Sequence, residues 1–243
     1  MLIQYGLSLL LLVSLTVLLL ALFKIKLKWQ PYIAIARAVI QLTVIALLLR
    51  GILTSSWMLV AFIALMFATA THTSAKHTQK LHRGIATTFI AILTGAFISV
   101  TLIFGLGLVP LGTPNIVAVA GIIISGTMTI TTLTARNFSA LAHACQGEIE
   151  AWWSLGATSP VAFKRIAREA ITEALTPGLD QTRATGLVTL PGTFVGALMG
   201  GASPLLAAQL QIAVLAGQTL GGAIAALLLT SIITRTTVLP QRD

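Results

Sequence analysis

Residues 136–185 read RNFSALAHACQGEIEAWWSLGATSPVAFKRIAREAITEALTPGLDQTRAT, and five of the six acids of the chain fall within them: Glu148, Glu150, Glu169, Glu173 and Asp180. The sixth, Asp243, is the last residue. In both directions from this stretch the chain is a near-continuous series of apolar segments. Hydrophobic residues make up 56% of the sequence and charged residues 9%, where ordinary soluble domains carry roughly 25% charge. So few charges cannot cover a water-facing surface, which makes the chain an integral membrane protein. The acids lie where the hydropathy pattern leaves the bilayer, so no carboxylate is expected within it.

Seven spans are predicted, at about 2–23, 32–54, 56–71, 84–106, 115–135, 184–201 and 205–233, each measured against about 30 Å of hydrocarbon at 1.5 Å per helical residue. The first is not read as a secretory signal, because its apolar run is too long and no basic residue precedes it. Basic residues set the orientation. Lys24, Lys26 and Lys28 follow span one; Lys76, Lys80 and Arg83 separate spans three and four. Arg136, Lys164, Arg165, Arg168 and Arg183 lie between spans five and six, and Arg235 and Arg242 follow span seven. All four regions fall on one side, which places the N-terminus outside and the C-terminus in the cytoplasm. Only Arg50 falls on the other side. Arg37, some five residues into span two, either snorkels to the interface or lies on a conduction path.

The net charge of +9 does not indicate nucleic acid, since Lys and Arg sit at segment ends and not along one aromatic-interleaved face. The single cysteine, Cys145, excludes an intrachain disulfide. The chain has no G-x-x-x-x-G-K-[ST] run with which to bind ATP and no ligand spacing for zinc. His72, His77 and His82 recur every five residues, so neighbours do not share a helical face; they read as a solvated basic loop. No catalytic pair of acids and no Ser-His-Asp set is in reach of the membrane, which argues against an enzyme.

Span six is short and holds Pro191, Gly192, Gly196, Gly200 and Gly201. Pro191 removes a backbone donor, so the segment is expected to be kinked or broken, with Pro191, Gly192 and Gly196 as a gating element. Gly192, Gly196 and Gly200 form a small-residue ridge, as do Ala213, Gly217, Gly221 and Ala225 on span seven, where tight helix packing accounts for it. Polarity within the bilayer nominates Gln41, Thr127, Met128, Thr129, Thr189 and Thr193 as pathway-facing groups. Threonine hydroxyls also bond their own helix backbone.

In the polar stretch, Ser159-Pro160 is a helix-start signal, with Ser as N-cap and Pro at the first helical position. A short helix is predicted at about 160–175. Together with the segment beginning at Glu150 it makes a helix–turn–helix on the membrane surface, with a small-residue turn at Gly156 and an exposed Phe163 as a ball for a partner's socket. An ordinary amphipathic interfacial helix is the alternative.

The run EIEAWWSLGATSPVAFKRI (148–166) resembles the EAA loop of ABC-transporter permeases, with Ala167-Arg168 where many permeases carry Leu-Pro. More specifically, LGATSPVAF (155–163) and GLVTLPGTFVGALMGGASPLLAAQLQIAV (186–214) resemble the FetB-like iron-export permease family, which includes plant aluminium-tolerance membrane subunits. RAVIQLTVIALLL (37–49) and AGIIISGTM (120–128) extend the likeness over about residues 37–230. Two departures are visible: Thr193-Phe194-Val195 follows the LPG, and Ser125-Gly126-Thr127-Met128 stands for the family's G-N-A-M.

The resemblance implies an all-α, polytopic protein: one transmembrane permease domain over 1–243, with a cytoplasmic coupling loop at 136–185. It would be the membrane subunit of a plasma-membrane (inner-membrane) ABC exporter of iron or a related metal species. The subunit would act as a homodimer in the lipid bilayer, with ATP used by a separate P-loop ATPase and no cofactor on this chain. Glu150, Ala151, Gly156, Phe163 and Ile166 would form the coupling surface. The metal-ligand residues are not specified. A small organic solute or chelate as cargo, an ATPase-independent channel or secondary transporter, and a non-catalytic interaction protein are the other readings the residues leave open.

Overall fold

A computed structural model describes residues 2–25, 29–54, 56–79, 81 and 83–236. Lys26, Lys28, Lys80, His82 and Arg242 lie outside these, as does Asp243. Among the described residues the chain is helical, with one isolated bridge between Thr185 and Thr189. It divides into two compact units, Met1–Met58 and Leu59–Asp243.

The first unit holds α1 (Leu2–Leu22) and α2 (Gln30–Thr54). Tyr32 on α2 donates to Ser14 Oγ on α1 at 2.9 Å, and Trp29 tilts against Tyr32. The second unit takes most of α3 (Ser56–Thr78), then α4 (Gly84–Gly105), α5 (Thr113–Ala144), α6 (Gln146–Ser154), α7 (Ser159–Ala162), α8 (Lys164–Ala184), α9 (Gly192–Met199) and α10 (Pro204–Ile233). Six helices, α1 to α5 and α10, are long and apolar enough to cross a membrane. His72 and His77 belong to α3, which runs on to Thr78, so the basic stretch expected as loop is in part a helix end.

Glycine ridges bring α4, α5 and α10 together. A Cβ on Gly95 of α4 would collide with the carbonyl oxygen of Gly221 of α10, so the two backbones touch. A Cβ on Gly221 would meet Thr127 Oγ1 at 2.9 Å and Ser99 Oγ at 3.0 Å. Gly217 accepts Ile103 and Ile123, and Gly222 accepts Ile130. The ridge on α10 is therefore a packing device. Gly192 and Gly196 on α9 have nothing within 4 Å of such a Cβ.

Two elements differ from expectation. The apolar run 184–201 is not a membrane-length helix. It is a turn, in which Gly186 N–H donates to Thr189 O at 2.8 Å, followed by the eight-residue α9. Pro191 is the N-cap residue of α9, so the break falls at 185–191 and includes the proline. In turn, the helix expected at 160–175 continues to Ala184, through Pro177, and becomes α8.

The partners of α8 show where it runs. Phe163, Ile166 and Ala170 pack with Phe138, Ala142, Leu229 and Ile233. Ala174, with Ile171 and Leu175, packs with Ile130, Leu133 and Ala226. Beyond that, Pro177, Gly178, Gln181 and Thr182 stand beside Ser125, Gly126, Leu215, Gln218 and Thr219. Numbers rise along α8 as they fall along α5 and α10, so α8 lies antiparallel to both. Its C-terminal turns reach the middle of two strongly apolar helices. Asp180, between Gly178 and Gln181, is thus carried to the half-height of α5, deeper in the helix packing than a surface loop would place it. The cause is amphipathicity: residues at three- and four-residue spacing dock while the charged face lowers the average hydropathy.

Gly95→Ala should lower thermal stability in detergent by about 1–3 kcal/mol, since the methyl meets a backbone oxygen that cannot turn aside. Gly196→Ala in α9 should be neutral or slightly stabilising. A melting series on the two purified variants checks both.

Candidate functional site

At the end of the bundle where α5 stops, the chain forms an elbow, α6–turn–α7, that leads straight into α8. Leu155 and Gly156 end α6. Gly156 has φ of 79°; its N–H donates to Trp153 O at 2.9 Å, and Ala157 N–H donates to Trp152 O at 3.0 Å. This is a Schellman termination, in which glycine avoids the left-handed penalty of other residues. Thr158, extended at φ −71° and ψ 152°, is the N-cap residue of α7. Ser159, expected as the cap, instead lies inside the first turn with Pro160 behind it. Phe163 interrupts the helix for one residue: it donates its N–H to Ser159 O and accepts that of Ala167.

Phe163 is not the exposed ball that its amphipathic setting suggested. It is fully buried, 5.5 Å from the Phe138 ring and edge-on to Trp153 at 5.8 Å. Ile166 is fully buried as well. Both pack the elbow onto α5. What the elbow presents outward is Glu150, Ala151 and Gly156, with Leu155 at 81% exposure, Val161 at 47% and Trp152 at 43%.

A charged clasp joins α6 to α8. Arg165 donates from Nε to Glu148 Oε1 at 3.0 Å and from Nη2 to Glu148 Oε2 at 2.6 Å. Its Nη1 reaches Glu169 Oε2 at 2.8 Å, and Nη2 also contacts Cys145 Sγ at 3.1 Å. The hydrogen bonds from Arg165 hold the Glu148 carboxyl below the ordinary carboxylate range. The same bonds, Glu148 first, raise the guanidinium's own value. The two-pronged geometry fixes direction as well as proximity, which a single ammonium would not.

At the other end of α8 lies a cavity of about 250 Å³ between α5, α8 and α10. Its polar lining is Ser125, Thr129, Gln181, Thr182, Gln218 and Thr219. These are hydroxyls and amides with no charge among them, suited to a hydrated or hydrogen-bonding guest and poorly suited to a bare cation.

Of the residues nominated as pathway-facing, Thr129 lines this cavity, with its hydroxyl bonded to Ser125 O at 3.0 Å. Thr127 is wholly buried against Gly221, and its hydroxyl has no hydrogen-bond partner. Met128 packs into the cluster of α3, α4, α5 and α10. Thr189 sits in the break before α9 and Thr193 in its first turn. Gln41 belongs to the first unit. Sequence reasoning missed Gln181, Thr182, Gln218 and Thr219. Gln218, an amide halfway along an apolar span, was the available signal. Among the described residues no group of three or more His, Cys, Asp or Glu converges as a metal site.

An all-α chain with six membrane-length helices and an exposed helical elbow defines a polytopic α-helical membrane protein. Residues 3–238 match the Uncharacterised protein family (UPF0014), and the chain belongs to that family. It is 34% identical to the UPF0014 membrane protein STAR2 of Oryza sativa subsp. japonica, over 79% of this chain and 68% of that protein. Identity is 30% to Protein ALUMINUM SENSITIVE 3 of Arabidopsis thaliana, over 79% and 71%. It is 28% to the Probable iron export permease protein FetB of Escherichia coli (strain K12), over 74% and 71%. No solved structure matches the chain.

Phe163→Ala should destabilise the protein by about 3–5 kcal/mol, the cost of an emptied aromatic core site, whereas Leu155→Ala should leave the melting temperature unchanged. The clasp should also be sensitive to acid. Because the folded Glu148 value is lowered, its contribution is complete above the ordinary carboxylate range and is lost as pH falls through the lowered value. Amide protection over 146–162, relative to the intrinsic exchange rate at each pH, should therefore fall only in acid, and Glu148→Gln should lower it already at neutral pH.

Proposed function

We propose that this chain is the membrane subunit of an ABC exporter, driven by a separate cytoplasmic P-loop ATPase and moving iron or a related metal species out of the cytoplasm. The observation that carries this reading is mechanical continuity. An exposed apolar tip, Leu155 with Trp152 and Val161, stands on an elbow fixed by Phe163, Trp153 and Arg165. That elbow leads into α8, whose far end walls a partly polar cavity beside the middle of α5 and α10. A partner that pushes on the tip would displace the cavity wall.

In this reading Glu150, Ala151 and Gly156 belong to the docking surface. Phe163 and Ile166 transmit the motion from within, and the break at 185–191 with Gly192 and Gly196 lets α9 move. Two copies would pair in the plasma membrane with two ATPase subunits. The chain itself binds no nucleotide, having no P-loop, and ATP is spent on the partner. The iron assignment draws on the relative named as a probable iron export permease. The neutral lining of the cavity supports a hydrated or chelated metal, or a small organic solute, over a bare ion.

A second reading, a secondary transporter that needs no ATPase, is favoured by Asp180, which provides a carboxylate at the depth where ion coupling operates.

One experiment separates these readings. The chain is co-purified with candidate ATPases in lipid, and ATPase activity is followed while ferrous iron, other divalent ions and chelates are titrated. Leu155→Asp should weaken ATPase association by roughly tenfold or more, as loss of a central apolar anchor does, without changing the melting temperature. Iron-stimulated activity that this variant abolishes is the expected result. Cargo movement in vesicles with no ATPase present would establish the second reading.

A further inference from the structure

The two faces of α8 have opposite fates. Ile166, Ala170 and Ala174 are buried against α5 and α10. Thr172, Glu173, Thr176, Asp180 and Arg183 are all exposed, although this part of the helix climbs beside the apolar middle of its neighbours. Ala174, adjacent to Glu173, packs with Ile130. Pro177 and Gly178, flanked by Thr176 and Asp180, line the cavity with Ser125 and Gly126. Asp180 and Arg183 pair at 2.8 Å yet keep 59% and 76% of their side chains exposed. Among the described residues Glu173 makes no ion pair.

Such a face cannot be turned to hydrocarbon, where charged groups and unpaired polar groups are strongly disfavoured. The segment that follows adds to the conflict, since 185–191 is non-helical backbone at the same depth. Irregular backbone is tolerated there only against protein or water.

We propose that the outer face of α8, from Glu173 to Arg183, is the wall of a water-filled vestibule that opens at the elbow end and reaches the mid-height cavity. It is the aqueous approach by which a polar cargo gains that cavity. Between Arg168 and Arg183 this wall presents the carboxylates of Glu173 and Asp180 and the hydroxyls of Thr172 and Thr176, with Leu179, 39% exposed, as its apolar member. No basic side chain interrupts it. The proposal rests on the chain's place in the membrane and stands apart from any ATPase partner.

Thiol labelling tests it. In a Cys145→Ser background, Glu173→Cys and Thr176→Cys are made singly, with Leu155→Cys as the water-exposed reference and Phe97→Cys, 66% exposed on α4, as the reference at bilayer depth. All are treated in sealed membranes with a membrane-impermeant maleimide, and folding is checked by gel filtration. The thiolate, which forms in water and not in hydrocarbon, attacks the maleimide double bond. The two α8 positions should therefore label from the same side as Leu155→Cys and within about tenfold of its rate, with Phe97→Cys far slower.

Labelling of both α8 positions no faster than Phe97→Cys would overturn the proposal. So would labelling only from the opposite side, or protection accompanied by a Thr176→Cys disulfide between two copies, which would make this face a dry seam. None of these outcomes depends on whether an ATPase associates, so failure here and failure of the transport reading are distinguishable.

Discussion

The backbone contact between Gly95 and Gly221 governs the second unit. Lipid offers helices no hydrophobic reward for meeting, so association depends on how closely backbones approach. Where α4 and α10 touch without side chains between them, α10 also lies near enough to α5 for Ser99 and Thr127 to close around Gly221. α5 and α10 together then present the groove in which α8 lies. The elbow, the cavity and the polar face of α8 all take their positions from that groove.

Much of this was legible in the residues. The long apolar runs of α1 to α5 and α10 announce themselves by length and hydropathy, and the glycine spacing on α10 marks a packing ridge. The turn at Gly156 was also readable, since a small residue between two helical patterns points to a left-handed termination. α8 was not legible as a deep element, because Glu169, Glu173, Asp180 and Arg183 lower its average hydropathy although its docking face is apolar. Averages hide faces. Phe163 shows the same limit: periodicity assigns it to the apolar side of a helix but cannot say whether that side meets a partner or the chain's own core. Burial of Phe163 follows from a long-range contact with Phe138, which no local pattern encodes.

The elbow and the cavity lie toward opposite ends of the one helix α8, so the proposed coupling would join them through a single element. The face that α8 lays into its groove carries the small residues Ala170 and Ala174, packed against larger side chains of α5 and α10 such as Phe138, Ile130 and Leu229. The break at 185–191 confines the movement, since α9 beyond it is joined to α8 by a turn.

The polarity of α8 also has a bearing on biosynthesis. A segment this charged does not partition into lipid by itself as it leaves the ribosome. Its groove is complete only when α10, the last helix in chain order, is in place. The contacts of α8 with Ala226, Leu229 and Ile233 can therefore form only after α10 has been made, so its docking follows the chain order of neither helix alone. A chain truncated within α10 would then lose more than its final span, because an earlier helix would be left without the surface that admits it.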